Sequence, residues 1–213
     1  MARIVAADTA DAYSDVERVF LPVGVAVFVL FAGAIMLAVW RGRRGVVPGA
    51  RAENNPLEAV YVVVLAVAVG VLVAVSFSAE DRVGQAEARP AVKVRVLAAK
   101  WRWRFEYPAH GIAVQGTETR VPTLVVPART KVEFDGDSLD VIHAFWIPAM
   151  RFQRQLIPGR PTRFTLTFPR AGFLSSSRCS FFCGLRHQDM RFGVQVMAPA
   201  QFRAWAAAQG GAG

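Results

Sequence analysis

At 213 residues and 54% hydrophobic content, the chain is more apolar than an ordinary soluble domain and suits a small domain joined to a membrane anchor. Twenty-five Lys and Arg against 16 Asp and Glu give a formal charge of +9, and all of it falls after residue 78, where 19 basic residues face 10 acidic ones. The arginines there are scattered rather than run together, which speaks against nucleic acid and for solvated surface or partners with acidic or anionic-lipid faces.

The first element is an uncharged apolar run over residues 20–40, FLPVGVAVFVLFAGAIMLAVW, and the second spans 56–78, interrupted only by Glu58. At about 1.5 Å per residue each is long enough to cross a bilayer. Neither shows the polar face of a helix packed in a soluble core. The connector, 41–55, carries Arg41, Arg43, Arg44 and Arg51 against Glu53, whereas segment 1–19 holds Asp8, Asp11, Asp15 and Glu17 against Arg3 and Arg18. Short basic loops stay on the cytoplasmic side. The expectation is a multi-pass protein of the cell membrane, with segment 1–19 outside, a transmembrane pair over 20–78, and a domain over 79–213 outside. Acids ahead of the apolar run, and no small-residue cleavage site behind it, separate the first helix from a cleaved signal. It is expected to stay as an anchor.

Beyond residue 79 the pattern changes to period two. Val92, Val94 and Val96 alternate with Lys93 and Arg95, then Trp101, Trp103, Phe105 and Tyr107 alternate with Arg102, Arg104 and Glu106. Further strands are predicted over 123–126, 130–134, 141–146, 163–168 and 192–197, divided by Pro, Gly and Asp signals. Short strands at this spacing predict a sandwich or barrel. Residues 199–209 predict a short amphipathic helix.

The chemistry concentrates in Cys179-Ser-Phe-Phe-Cys183-Gly-Leu-Arg-His187-Gln-Asp-Met190, with His143 far upstream in Asp140-Val-Ile-His143. Thiolate, thioether and imidazole together form a soft donor set that selects copper. Two cysteines in one short loop can bridge two coppers, leaving one histidine for each. A disulfide would account for Cys179 and Cys183 but leave three other donors without purpose, in a chain of three histidines. Structural zinc has no use for Met190. Covalent haem is excluded because three residues separate the cysteines and glycine follows the second.

These features resemble subunit II of the haem-copper oxidases, the cytochrome c oxidase type. The resemblance rests on Asn54-Asn55-Pro56-Leu57-Glu58, the aromatic run from Trp101 to Tyr107, Asp140-Val-Ile-His143, Ile157-Pro-Gly-Arg160, and the Cys179 to Met190 loop. It implies a two-helix transmembrane hairpin followed by an all-β, cupredoxin-like Greek-key domain that holds a dinuclear CuA centre of two copper ions. By the same resemblance Cys179 and Cys183 bridge, His143 and His187 terminate, and Met190 and the main-chain carbonyl of Phe181 supply weak axial ligands. Trp101 stands where the family takes electrons from a donor, and Glu58 stands near the mouth of a proton path.

The implied partners are subunit I, which alone carries the haems and CuB, subunit III, membrane lipid, and a donor that is a cytochrome c or a small copper protein. The implied activity is that of cytochrome c oxidase: electrons pass to subunit I for oxygen reduction coupled to proton translocation. A nitric oxide reductase subunit and a membrane-anchored copper chaperone are the alternatives. Two positions depart from the family. Phe181 stands where glutamate is common and helps bind magnesium, and Gln155 replaces an acid ahead of the Pro-Gly-Arg turn. With Arg102 and Arg104 beside the tryptophans, the face that meets the donor reads as less acidic than in the family, which points to an acidic or neutral donor. Arg160, Arg186 and Arg191 are candidates for contacts with haem propionates or acidic partners.

Overall fold

The computed structural model describes residues 7–45, 55–84, 91–117 and 119–210. Two helices come first, α1 (Ala7–Arg43) and α2 (Asn55–Gly84). Within them, Tyr13–Arg43 and Asn55–Ala79 are long and apolar enough to cross a membrane. Helix α1 is longer than the uncharged run because nothing ahead of residue 20 breaks a helix, and acids are tolerated in its first turns. Near the end of α2, Ser76 and Ser78 donate their hydroxyls to the carbonyls of Leu72 and Ala74 at 2.8 Å, so neither leaves an unpaired polar group in an apolar setting. The predicted connector lies largely at 46–54, outside the described residues.

The rest is a sandwich of two five-stranded sheets. In chain order the strands are β1 (Val92–Ala99), β2 (Arg102–Tyr107), β3 (Ile112–Gln115), β4 (Thr123–Pro127), β5 (Lys131–Ser138), β6 (His143–Ile147), β7 (Phe152–Leu156), β8 (Thr162–Thr167), β9 (Gly172–Cys179) and β10 (Arg191–Met197). One sheet runs β3-β2-β1-β5-β8 and the other β4-β10-β9-β6-β7. Both are mixed: β1 lies parallel to β5 and β10 parallel to β4, and the other pairs are antiparallel. A last helix, α3 (Pro199–Gly210), buries Phe202 and Ala206.

Alternation explains the layers. Trp103, Phe105 and Tyr107 of β2 are fully buried while Arg102, Arg104 and Glu106 point outward, as period two requires. Phe134 stacks on Phe164 at 5.2 Å, and Phe145 of the opposite sheet stacks on Phe192 at 4.7 Å, which gives the core a continuous aromatic filling. Trp101 is the exception to the predicted pattern. It falls in the turn between β1 and β2 and is only partly buried, because the chain reverses at Lys100 and Trp101 before β2 begins.

Tyr107 fastens one sheet to the other. Its hydroxyl donates to the Val125 carbonyl at 2.9 Å and accepts from the Val125 amide at 2.8 Å, deep in the core. Burial is the main influence on the phenol and pushes its pKa above the ordinary value, so it stays protonated and able to donate. Tyr107→Phe is expected to leave both Val125 groups unpaired and to cost about 2 kcal/mol in denaturant unfolding. An unchanged midpoint would show that water or α3 takes over the two bonds.

Candidate metal centre

Two segments build the site, the start of β6 and the loop from β9 to β10. His143 opens β6 and is fully buried. Cys179 closes β9, where Phe145 pairs with it across the ladder. The chain then turns back on itself: the Cys179 amide donates to the Met190 carbonyl at 2.9 Å, and the Ser180 amide to the Ala144 carbonyl at 3.2 Å. A short 3-10 turn over His187–Asp189 brings Met190 back to the sheet. Backbone bonds therefore hold both ends of the loop, and the strands fix where its side chains meet.

The donor atoms converge. His143, Cys179 and Cys183 present ligand atoms that all lie within 4.8 Å of one another, and all three residues are buried. Each sulfur faces its own imidazole: Cys179 Sγ is 3.8 Å from His143 Nδ1, and Cys183 Sγ is 3.5 Å from His187 Nδ1. The Met190 thioether lies 3.9 Å from Cys183 Sγ, and the Phe181 carbonyl accepts from Cys179 Sγ at 3.2 Å. Both cysteines are free, and neither sulfur is tied up in a disulfide. This arrangement fits a soft metal: two thiolates able to bridge, one imidazole nitrogen for each side, and a thioether that zinc would not need.

The two sulfurs are not equivalent. Burial opposes charge on both, but at Cys179 the hydrogen bonds with His143 and with the Ala144 backbone outweigh it and lower the pKa. At Cys183 burial dominates, the neighbouring sulfur adds repulsion, and the thiol is pushed up to about 12.

Sequence reasoning named the donors but gave no role to three residues that position them. Asp140 Oδ1 lies 2.9 Å from His143 Nε2, which leaves Nδ1 for the site. Trp103 lies edge-on to His143, with ring centroids 6.4 Å apart, and its indole donates to the Met190 carbonyl at 3.3 Å. Gly184 adopts φ +116°, a conformation that favours glycine, and a Cβ there would meet the Trp101 ring at 3.3 Å. An aspartate three residues before a ligand histidine was the available signal for the first of these. Trp101 itself donates from its indole nitrogen to the Cys183 carbonyl at 3.2 Å. Phe181 keeps its side chain exposed and offers only its backbone to Cys179. Glu58 lies in the first turn of α2 with an exposed side chain, in the helical part of the chain.

Comparison with known proteins agrees with this geometry. The family described as cytochrome C oxidase subunit II, periplasmic domain, matches residues 92–197, which run from the first residue of β1 to the last of β10. A probable cytochrome c oxidase subunit 2 of Mycobacterium leprae is 34% identical over 95 residues, covering 42% of this chain and 27% of that protein. The cytochrome c oxidase subunit 2 of Bacillus subtilis is 32% identical over 106 residues, covering 47% and 28% respectively. The match thus spans about a quarter of the length of these curated relatives. The periplasmic domain of subunit II of cytochrome oxidase from Bradyrhizobium japonicum superposes with a TM-score of 0.51 at 24% identity, covering 57% of this chain and 94% of that structure, and shows the shared cupredoxin-like fold. With the match running from one end of the sandwich to the other, the β domain over residues 92–197 belongs to the family described as cytochrome C oxidase subunit II, periplasmic domain.

Proposed function

We propose that the chain is the electron-accepting subunit of a membrane-bound haem-copper oxidase, and that Cys179, Cys183, His143, His187, Met190 and the Phe181 carbonyl hold a dinuclear copper centre. The observation that carries this reading is the pairing of two free, buried thiols, each with its own imidazole nitrogen and with a thioether alongside. Bound there, a copper pair supplies a one-electron acceptor that is also a one-electron donor. The chain's own residues do the rest. Burial of His143, Cys179, Cys183 and Met190 keeps bulk water from the donor atoms. Ligands anchored at strand ends resist rearrangement when the charge of the site changes. Asp140 fixes the His143 ring, and Trp101 links the protein surface to the Cys183 backbone through one hydrogen bond.

In this reading a cytochrome c or a small copper protein delivers single electrons outside the membrane, and subunit I, which carries the haems and CuB, receives them and reduces oxygen while protons are translocated. Subunit III and membrane lipid complete the surroundings. The two helices anchor the chain with its first segment and its β domain outside the cell membrane, in line with the arginines at the end of α1. Glu58, at the end of α2 that this topology places toward the cytoplasm, serves at the mouth of a proton path in the partner.

Copper loading of the full chain in detergent tests the proposal. The expected product holds two coppers per chain, is purple, and gives the electron-spin signature of one unpaired electron shared between two copper nuclei. A colourless chain that keeps zinc in preference to copper would sink it.

A further inference from the structure

A cleft of about 550 Å³ opens beside the donor residues, and Trp101 forms part of its wall. Among the described residues that line it are five cations, Lys100, Arg102, Arg120, Arg186 and Arg191, and one carboxylate, Asp189. They come from three stretches that the fold brings together: the β1–β2 turn with the first residue of β2, the segment ahead of β4, and the ligand loop with the first residue of β10. Asp189 pairs with Arg186 at 3.5 Å. Arg191 donates to the Gln188 carbonyl at 3.2 Å, which orients the guanidinium without cancelling its charge.

Away from the cleft, several cations have acidic partners. Arg104 meets Glu106 at 2.7 Å, and Lys93 and Arg163 meet Asp135 at 2.7 and 2.8 Å. The cleft beside Trp101 sets five cations against one carboxylate among its described residues, and a concave, like-charged surface raises the local concentration of an anionic partner and steers its approach. The apolar Leu185, 93% exposed, precedes the lining residue Arg186 in the chain and offers an apolar contact of the kind found at protein interfaces.

We propose that this cleft is the docking surface of the electron donor, a soluble one-electron carrier that presents a carboxylate-rich face to Trp101. The proposal rests on the electron-accepting role. It goes further by fixing the charge of the face that the partner presents. A cleft of this volume is too small for a folded protein but accepts several protruding Asp and Glu side chains. A carrier seated there is separated from the Cys183 sulfur by one indole, one hydrogen bond and one residue's backbone. With a cytochrome as the carrier, one electron would leave its ferrous haem, which becomes ferric, and an oxidised copper centre held by Cys179 and Cys183 would take up that electron. No bond forms or breaks and no proton moves.

The test uses the full, copper-loaded chain and one carrier in two charge forms, a lysine-rich cytochrome c and the same protein with its lysines succinylated. Titration calorimetry at low salt with the oxidised carrier is expected to show one-to-one binding of the succinylated form and none of the native form. In stopped flow, the succinylated reduced form is expected to react faster, with a rate that falls about tenfold or more between low ionic strength and about 0.3 M salt. The paired change Arg102→Glu and Arg120→Glu removes the binding and leaves reduction of the copper by a small neutral reductant unchanged. Arg120→Gln, a change too mild to disturb folding, gives a smaller loss in the same direction.

Tighter binding or faster reaction of the native form at low salt overturns the docking proposal while leaving the electron-accepting role in place. Rates and affinities indifferent to salt do the same. Pyrophosphate binding that the variants abolish, with no change in binding of the succinylated carrier, would make the cleft a small-anion site and overturn it as well. A chain that takes up no copper defeats both readings, and the absorption spectrum recorded before any carrier is added separates that case from the others.

Discussion

Cys179→Ser in the full chain is expected to abolish the purple colour, to lower the bound copper below two per chain, and to remove most of the stabilisation that copper brings. The argument starts from the position of Cys179 at the end of β9, where its sulfur lies between His143 Nδ1 at 3.8 Å and the Phe181 carbonyl at 3.2 Å. Serine keeps the shape but offers a hard, protonated oxygen that cannot bridge two soft ions. The donors come from two stretches of chain that only the folded sandwich brings together, so metal binds the native state and not the unfolded one. At copper about a thousandfold above its dissociation constant, mass action adds about 4 kcal/mol, which for a domain of this size raises Tm by about 10 °C or more. Thermal unfolding with and without copper reads this directly. Wild type should show the rise and Cys179→Ser little of it, with Cys183→Ser behaving alike because the second sulfur faces His187 and Met190 in the same way. A serine variant that keeps two coppers and an unchanged spectrum would show that the sulfur does not bridge.

The site was legible because most of its donors are contiguous. Cys179, Cys183, His187 and Met190 lie within one loop, and only His143 had to be brought from elsewhere in the chain. What the sequence hid was support. Only Asp140, three residues ahead of His143, had a spacing signal, and the Trp103 indole and the backbone of Gly184 act through contacts that no spacing rule announces. The basic cleft was hidden for the same reason, since Arg120 and Arg191 are remote in sequence and meet only in the fold.

The fold was legible where burial is one-sided. Strand β2 alternates cleanly, β1 and β10 do so over part of their length, and all three were predicted from that alternation, with β1 running three residues beyond the predicted Val96. Strand β9 was missed because Gly172–Cys179 carries three serines and buries only Leu174, Ser177 and Cys179, which blurs period two. Strands β3 and β7 were missed because they are four and five residues long, and β7 has Gln153, Arg154 and Gln155 at its centre. The parallel pairings β1 with β5 and β4 with β10 depend on partners distant in the chain. Periodicity reports which face is buried, never which strand lies alongside.

Asp140→Asn should separate a ligand's orientation from its identity. Asp140 takes three contacts on two oxygens: Oδ1 accepts the Val141 amide at 2.7 Å and meets His143 Nε2 at 2.9 Å, and Oδ2 accepts the Lys100 amide at 2.7 Å. Burial works against the charge, but the Lys100 amide, the His143 ring and the Val141 amide outweigh it and hold the carboxyl below its usual range. Its contribution to stability is therefore present above the ordinary carboxylate pKa of about 3.9 and is lost only as pH falls through the lowered value. Asparagine has one acceptor oxygen, so its amide must face either the Lys100 N–H or the histidine N–H, and one donor is left opposed by another. If it faces His143, the ring loses the partner that turns Nδ1 toward Cys179. Copper affinity, measured by chelator competition, is expected to fall about 10- to 100-fold with two coppers still bound at saturation. Unfolding should shift by about 1 kcal/mol even without copper, because the Lys100 turn loses its anchor too. Unchanged affinity together with the stability loss would assign Asp140 to the turn alone and leave His143 held by its packing against Trp103.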